Sequence, residues 1–247
     1  MINARSRSIS FIGLFAAWIF AAPAFAQGDR PDGPLGLFGL FRQSFDFFTV
    51  LLLLGSVMAV WLIASCVFDI RRAKILPEKS IKRLDQLIEY GRIGELRTYV
   101  RKDSSFPARV VAAALAREKT GSDAMRESAE LAASEECARW FRRIEPLNVL
   151  GNIGPLVGLA GTVWGMILAF SALSDAGGSA MVGELAPGIS KALFHTLLGL
   201  TLAIPCLLVF GLYRSIIDRI CTHAMVISSD YVDKVIEQVI EQSDDKG

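Results

Sequence analysis

Apolar positions gather into three long stretches of the 247-residue chain, 45–68, 147–170 and 188–213. Each is close to the roughly 20 residues that a helix needs to cross a bilayer core. A long polar segment, 69–146, separates the first two, a short one, 171–187, separates the last two, and 214–247 is polar again. The pattern predicts an all-α membrane protein: three transmembrane helices with long helical cytoplasmic extensions. Composition points the same way, since 52% of residues are hydrophobic and the formal net charge is only +1. Such a chain is too apolar for an average soluble domain and carries no bulk charge that would recruit nucleic acid.

The polar segments show helical periodicity with start and stop signals. Pro77 and Glu78 open a helix that ends near Gly91, Ser104 or Ser105 before Pro107 opens another, and Ser122 caps a third beginning at Asp123. In the third, Glu127, Glu130, Glu135 and Glu136 come early and the arginines late, the order the helix dipole favours, with Glu135 and Arg139 spaced i,i+4. This helix is expected to run on into the second apolar stretch, with Pro146 and Pro155 as bends. Beyond the third stretch, Ile216, Ile217, Ile220, Val226, Ile227, Val235, Ile236, Val239 and Ile240 predict an amphipathic helix that packs on the cytoplasmic bundle or on a neighbouring subunit.

Topology follows from charge. Residues 69–146 hold 17 Lys or Arg against 13 Asp or Glu, whereas 171–187 hold no Lys or Arg, only Asp175 and Glu184. The positive-inside rule therefore places 69–146 and the C-terminus in the cytoplasm and the 171–187 loop outside, with Trp140 and Tyr213, each beside arginine, as interfacial anchors. The N-terminal 1–26 reads as a cleaved signal peptide: two arginines by Arg7, a short apolar run from Ile9 to Phe20, and Ala24-Phe25-Ala26 before Gln27. Residues 27–44, rich in turn formers but carrying Leu37, Phe38, Leu40 and Phe41, suit a periplasmic segment with a short interfacial helix.

The second stretch carries glycine at 151, 154, 158, 161 and 165, a spacing of 3, 4, 3, 4. At 100° per residue these positions share an arc of about 80°, with Thr162 at its edge and Trp164 opposite. A helix-interior glycine costs about 1 kcal/mol relative to alanine, and lipid gives helices no hydrophobic incentive to associate, so the stripe is a close-approach surface. The third stretch repeats the device with Gly188, Ala192, His195, Gly199, Ala203 and Cys206, flanked by Lys191 and Thr196. Two uses are open: packing of the two faces on each other within one subunit, or lining an oligomer's central cavity in which a further helix fits. Thr162 and Thr196 each lie 8 residues from the outer end of their stretch. Both hydroxyls thus come about 12 Å below the outer boundary, a plausible collar for a buried ionisable group. Neither stretch contains a carboxylate. Because Asp or Glu is the usual proton-relay group in a membrane, the acid is expected from a partner helix.

On these residues the chain resembles the MotA/TolQ/ExbB proton-channel family: "NIGPLVGLAGTVWGMILAF" is similar to its second transmembrane signature and "GISKALFHTLLGLTLAIPCLL" to its third. The three-span topology, closer to ExbB or TolQ than to a flagellar stator, extends the likeness. The resemblance implies a bacterial inner-membrane protein with a periplasmic mature N-terminus, assembled as a pentamer around single-span ExbD/TolR-like partners. An intramembrane Asp on the partner would carry the proton, Thr162 and Thr196 would line its path, and proton-motive force would drive TonB-dependent transport or related envelope work, with a TonB-like transducer as a further partner. A non-conducting scaffold that merely assembles helices is the alternative. One departure stands out: Lys191 occupies the position where ExbB has glutamate, and His195 one that is usually apolar. Lys191 either snorkels to the outer surface or pairs with a partner carboxylate or Glu184, and His195 is either a titrating group of the path or a neutral, hydrogen-bonded packing residue.

No enzyme is indicated. HExxH, GxSxG and phosphate-loop motifs are absent, and two histidines, His195 and His223, offer no nucleophile–base pairing. The four cysteines, Cys66, Cys137, Cys206 and Cys221, are widely spaced with no CxxC, so neither a metal site nor a disulfide framework is expected, and no cofactor is called for.

Overall fold

A computed structural model describes residues 45–175 and 182–244; the expected signal peptide and interfacial helix lie outside the described residues. The described residues form helices α1 (Phe47–Asp69), α2 (Arg72–Ile75), α3 (Glu78–Glu89), α4 (Ile93–Val100), α5 (Phe106–Ala116), α6 (Ser122–Asp175) and α7 (Val182–Asp244), with a 3₁₀ turn at Glu118–Thr120, and no strands. Three of them, α1, α6 and α7, are long and apolar enough to cross a membrane. The chain divides into two compact units, one holding residues up to Ala64 with Pro146–Phe210, the other Ser65–Glu145 with Gly211–Gly247.

The second unit is a soluble-type helical core. Local signals set its helix ends. After α3, Gly91 takes φ +62°, and its N–H reaches the Ile88 carbonyl (3.0 Å) while the Arg92 N–H reaches that of Leu87 (3.0 Å). This closes the helix where the sequence predicts, because only glycine adopts that φ without a Cβ penalty. Around Leu84, Leu87, Leu96, Val110 and Met125, residues from α3 to α6 pack with Ala224, Val232, Val235 and Ile236 of α7. Of the apolar set predicted for the tail, Ile217, Val235 and Ile236 are buried, whereas Ile216, Val226 and Ile240 are exposed. Trp140 packs partly against this core, with the Arg143 guanidinium 4.5 Å above its ring. The expected Glu135–Arg139 pair is replaced by Glu136, which accepts from Arg109 Nη1 (2.6 Å) and Arg139 Nη1 (3.4 Å). Glu136 is the carboxylate on the buried side of α6, so the α5 arginine draws the pairing one residue along.

Asp103 fixes the entry to α5. Burial works to raise its pKa, but the Ser105 N–H (3.0 Å to Oδ1) and the Ser80 and Ser105 hydroxyls outweigh that and hold it below its ordinary value. A depressed folded-state pKa adds stability that is fully present above about pH 4 and is lost as pH falls through the lowered value. Asp103→Asn is accordingly expected to lower the melting temperature of this unit at about pH 7 and to differ progressively less from the parent protein as the pH falls below about 4, as followed by circular dichroism.

In the first unit, α1 contributes Leu52, Ala59, Leu62 and Ile63 to the interior and leaves Leu54, Val57 and Trp61 exposed, as a lipid-facing surface requires. The helices α6 and α7 are 54 and 63 residues long and run past both ends of the expected spans. Helix α6 continues to Asp175 and α7 begins at Val182, so part of the predicted 171–187 loop is helical.

Candidate functional site

The small faces of α6 and α7 meet in an antiparallel crossing. A methyl group added at Gly154 would lie 3.1 Å from the Gly199 carbonyl oxygen, at Gly158 2.8 Å from that of His195, and at Gly161 2.8 Å from the His195 side chain. At Gly165 it would lie 3.0 Å from Ala192 Cβ, at Gly188 2.7 Å from Ala169 Cβ, and at Gly151 2.6 Å from the Leu207 side chain. Ala192, Ala203 and Cys206 are buried on the same face of α7. The glycine and alanine positions therefore lie against one another within the chain.

Close approach brings the two threonines together. The Thr162 hydroxyl lies 3.0 Å from the Gly158 carbonyl and 3.2 Å from the Ala192 carbonyl, Thr196 Oγ1 lies 3.4 Å from the Gly158 carbonyl, and the two hydroxyls bond to each other. Bonding to its own i−4 carbonyl is ordinary for an intramembrane threonine; the cross-helix bonds are the added feature. Two hydroxyl hydrogens face more acceptors than they can fill, so the pair has alternative donor arrangements at similar geometry. Both side chains are half-buried, and Leu159 and Leu193, each three residues from a hydroxyl, are exposed.

Lys191 and His195 gather on a residue absent from the sequence-based expectations, Asp46. Lys191 Nζ lies 3.2 Å from Asp46 Oδ2, an ion pair. Among the described residues the Lys191 ammonium thus faces a carboxylate at α1's own start. His195 is fully buried, with Nε2 3.0 Å from Asp46 Oδ1 and 3.1 Å from the Thr49 hydroxyl. Its ring meets Phe48 edge-on at 6.2 Å. Asp46 stands one residue before α1 and accepts the Thr49 N–H at 3.1 Å, the bond of a helix N-cap. An acid followed by threonine three residues on, at the start of an apolar run, is the signal that could have found it. Among the described residues no group of three or more His, Cys, Asp or Glu could hold a metal.

Comparison with known proteins bears on what this crossing does. TolQ of Haemophilus influenzae, a Tol-Pal system protein, is 36% identical over 101 residues, 41% of this chain and 41% of its own length. The biopolymer transport protein ExbB of Salmonella typhimurium is 31% identical over 94 residues, 35% of this chain and 38% of its own. The match thus spans about two fifths of the length of these curated relatives. A solved structure of C. jejuni MotAB shares the fold, with a TM-score of 0.56 at 16% identity over 95% of this chain and 90% of that one. The family model for MotA/TolQ/ExbB proton channels matches residues 102–225, a stretch that takes in the glycine faces, both threonines, Lys191 and His195. With that match across half of its length, the chain belongs to the MotA/TolQ/ExbB proton channel family.

Proposed function

We propose that this chain is an inner-membrane proton-channel and stator subunit, oriented with its N-terminus periplasmic and its C-terminus cytoplasmic. It assembles as a homo-oligomer, a pentamer, around a single-span ExbD/TolR-like partner whose intramembrane Asp carries the proton. The work done is TonB-dependent transport, through a TonB-like transducer, or related envelope energisation. The observation that carries the reading is the Thr162–Thr196 hydroxyl pair, half-buried at the edge of an otherwise apolar crossing. A hydroxyl both accepts and donates, so a pair with interchangeable bonds can hand on a proton or steady a titrating acid beside it.

The packing refines where a partner helix fits. Since Gly158 and Gly199 are closed off by each other, the partner meets the rim of the crossing, where Thr162, Thr196, Leu159 and Leu193 remain accessible. The same closure favours the second reading, a scaffold whose small faces only join helices. Purification of the tagged protein from its native cells separates the two. The channel reading expects a small single-span protein with an acidic residue inside its apolar helix, and expects the complex to survive its Asp→Asn change while proton uptake into liposomes is lost. Recovery without such a partner, or with one whose acid is dispensable for uptake, contradicts it.

A further inference from the structure

The buried imidazole of His195 is held at one nitrogen and open at the other. Nε2 faces Asp46 Oδ1 at 3.0 Å and the Thr49 hydroxyl at 3.1 Å. Nδ1 is buried with no hydrogen-bond partner among the described residues, and it lies against Gly161, where an added methyl would come within 3.1 Å of it. The charged groups facing the ring are Asp46 from α1 and Lys191 from α7, while α6 presents only Gly161 and its neighbours.

A carboxylate is acceptor-only, so a bond to Asp46 places the ring hydrogen on Nε2 and leaves a lone pair on Nδ1. That assignment also accounts for the open nitrogen. Orphaned buried N–H groups are rarer in folded proteins than under-satisfied acceptors, so the open nitrogen fits the lone-pair side of the ring. Asp46 is itself fixed from two sides, by its cap on the Thr49 N–H and by Lys191, so the ring cannot choose its tautomer freely.

We infer that Asp46 is a positioning residue that holds His195 as its Nε2–H tautomer, making this chain's own imidazole a proton-carrying group beside the Thr162–Thr196 pair. The inference rests on the conduction reading above and adds to it a proton-carrying group that the subunit supplies itself. A proton taken up at Nδ1 forms the imidazolium, which Asp46 Oδ1 stabilises through the Nε2–H, and its release from Nδ1 returns the ring to the Nε2–H tautomer. Gly161 and His195 are the immediate chain neighbours of Thr162 and Thr196, so the ring and the hydroxyl pair flank one crossing.

The test uses the full-length chain in lipid nanodiscs, labelled with ¹⁵N-histidine. The chain has two histidines, and His223→Gln removes the exposed one and leaves a single imidazole signal. The expected spectrum near neutral pH has a protonated Nε2 and an unprotonated Nδ1. Asp46→Asn keeps a good helix cap but offers an amide N–H to Nε2, so more than half of the population is expected to move to the Nδ1–H form. Asp46→Glu is expected to restore the parent tautomer. In liposomes carrying the complex with its partner, proton uptake of Asp46→Asn is expected to fall at least tenfold with the assembly intact. A parent spectrum showing Nδ1–H overturns the inference, as does an Asp46→Asn protein with unchanged tautomer and uptake. The tautomer is read without the partner, so it decides the assignment even where conduction fails; loss of uptake in Thr162→Val but not in Asp46→Asn sinks this inference and leaves the channel reading standing.

Discussion

Gly199→Leu is expected to prevent α6 and α7 from docking and to yield a protein that aggregates or melts far below the parent on detergent extraction. The reason is what the new side chain meets. A Cβ at position 199 would sit 2.6 Å from the Gly154 carbonyl oxygen and 3.2 Å from Gly158 Cα, both backbone atoms of the facing helix. Backbone cannot rotate away as a side chain can, so the helices must separate along the whole crossing. Inserting extra methylenes into a packed soluble core costs about 1–3 kcal/mol. Here the strain falls on main chain, and separation also breaks the Thr162–Thr196 and Thr162–Ala192 bonds, so the effect belongs at or above the top of that range. In lipid no hydrophobic gain offsets it, because tails solvate the exposed faces as well as leucine would. Position sets the size of the effect: at Gly151 the obstacle is the Leu207 side chain, which can shift, and a milder loss is expected. Gly211→Ala is the control. Nothing lies within 4 Å of its Cβ position, so the substitution is expected to be neutral or to add up to about 1 kcal/mol through helix propensity. A Gly199→Leu protein with the parent's melting temperature and elution volume contradicts the close-packed crossing.

Much of this arrangement was legible in the spacing of small residues. A 3, 4, 3, 4 run of glycine fixes one helix face whatever the rest of the fold does, and the matched depth of Thr162 and Thr196 follows from counting along two antiparallel helices. Periodicity gives a face but not its occupant; the fold sets the small faces of α6 and α7 against each other at Gly154, Gly158 and Gly199. Asp46 was invisible for a related reason. As a cap it is a local feature at the edge of an apolar run, but its meeting with His195 joins positions 149 residues apart and depends on how α1 sits against α7. Lys191, in isolation, reads as a charge that snorkels or pairs with Glu184 or a partner's carboxylate; the fold brings Asp46, far away in sequence, to 3.2 Å from it. In the second unit, Gly91 and Pro107 marked helix ends correctly because turn chemistry is local. Helix α4 went unread even though Ile93, Leu96 and Val100 bury one face, because eight residues are too few for a periodic signal. Glu136 rather than Glu135 pairs with Arg139 because Arg109, on another helix, competes for the choice.

The second large effect is on conduction. Valine has the shape of threonine without the hydroxyl, so Thr162→Val and Thr196→Val leave the Gly158 and Gly199 contacts in place and each remove about 1 kcal/mol of hydrogen bonding. The Gly158 carbonyl keeps its helical partner, and no buried donor is stranded. Assembly is therefore expected to survive both changes. Proton transfer is another matter, since a methyl group neither donates nor accepts, and the interchangeable bonds among Thr162, Thr196 and the Gly158 and Ala192 carbonyls vanish with the hydroxyls. Thr→Ser at either site keeps the hydroxyl and is expected to retain most of the rate. The decisive measurement is proton uptake into liposomes by the parent complex and by Thr162→Val and Thr196→Val, compared at equal complex content. A fall of at least tenfold in each valine variant, with the complex still intact, is the result expected of a hydroxyl-lined proton path; uptake equal to the parent's in both variants would show that protons cross elsewhere.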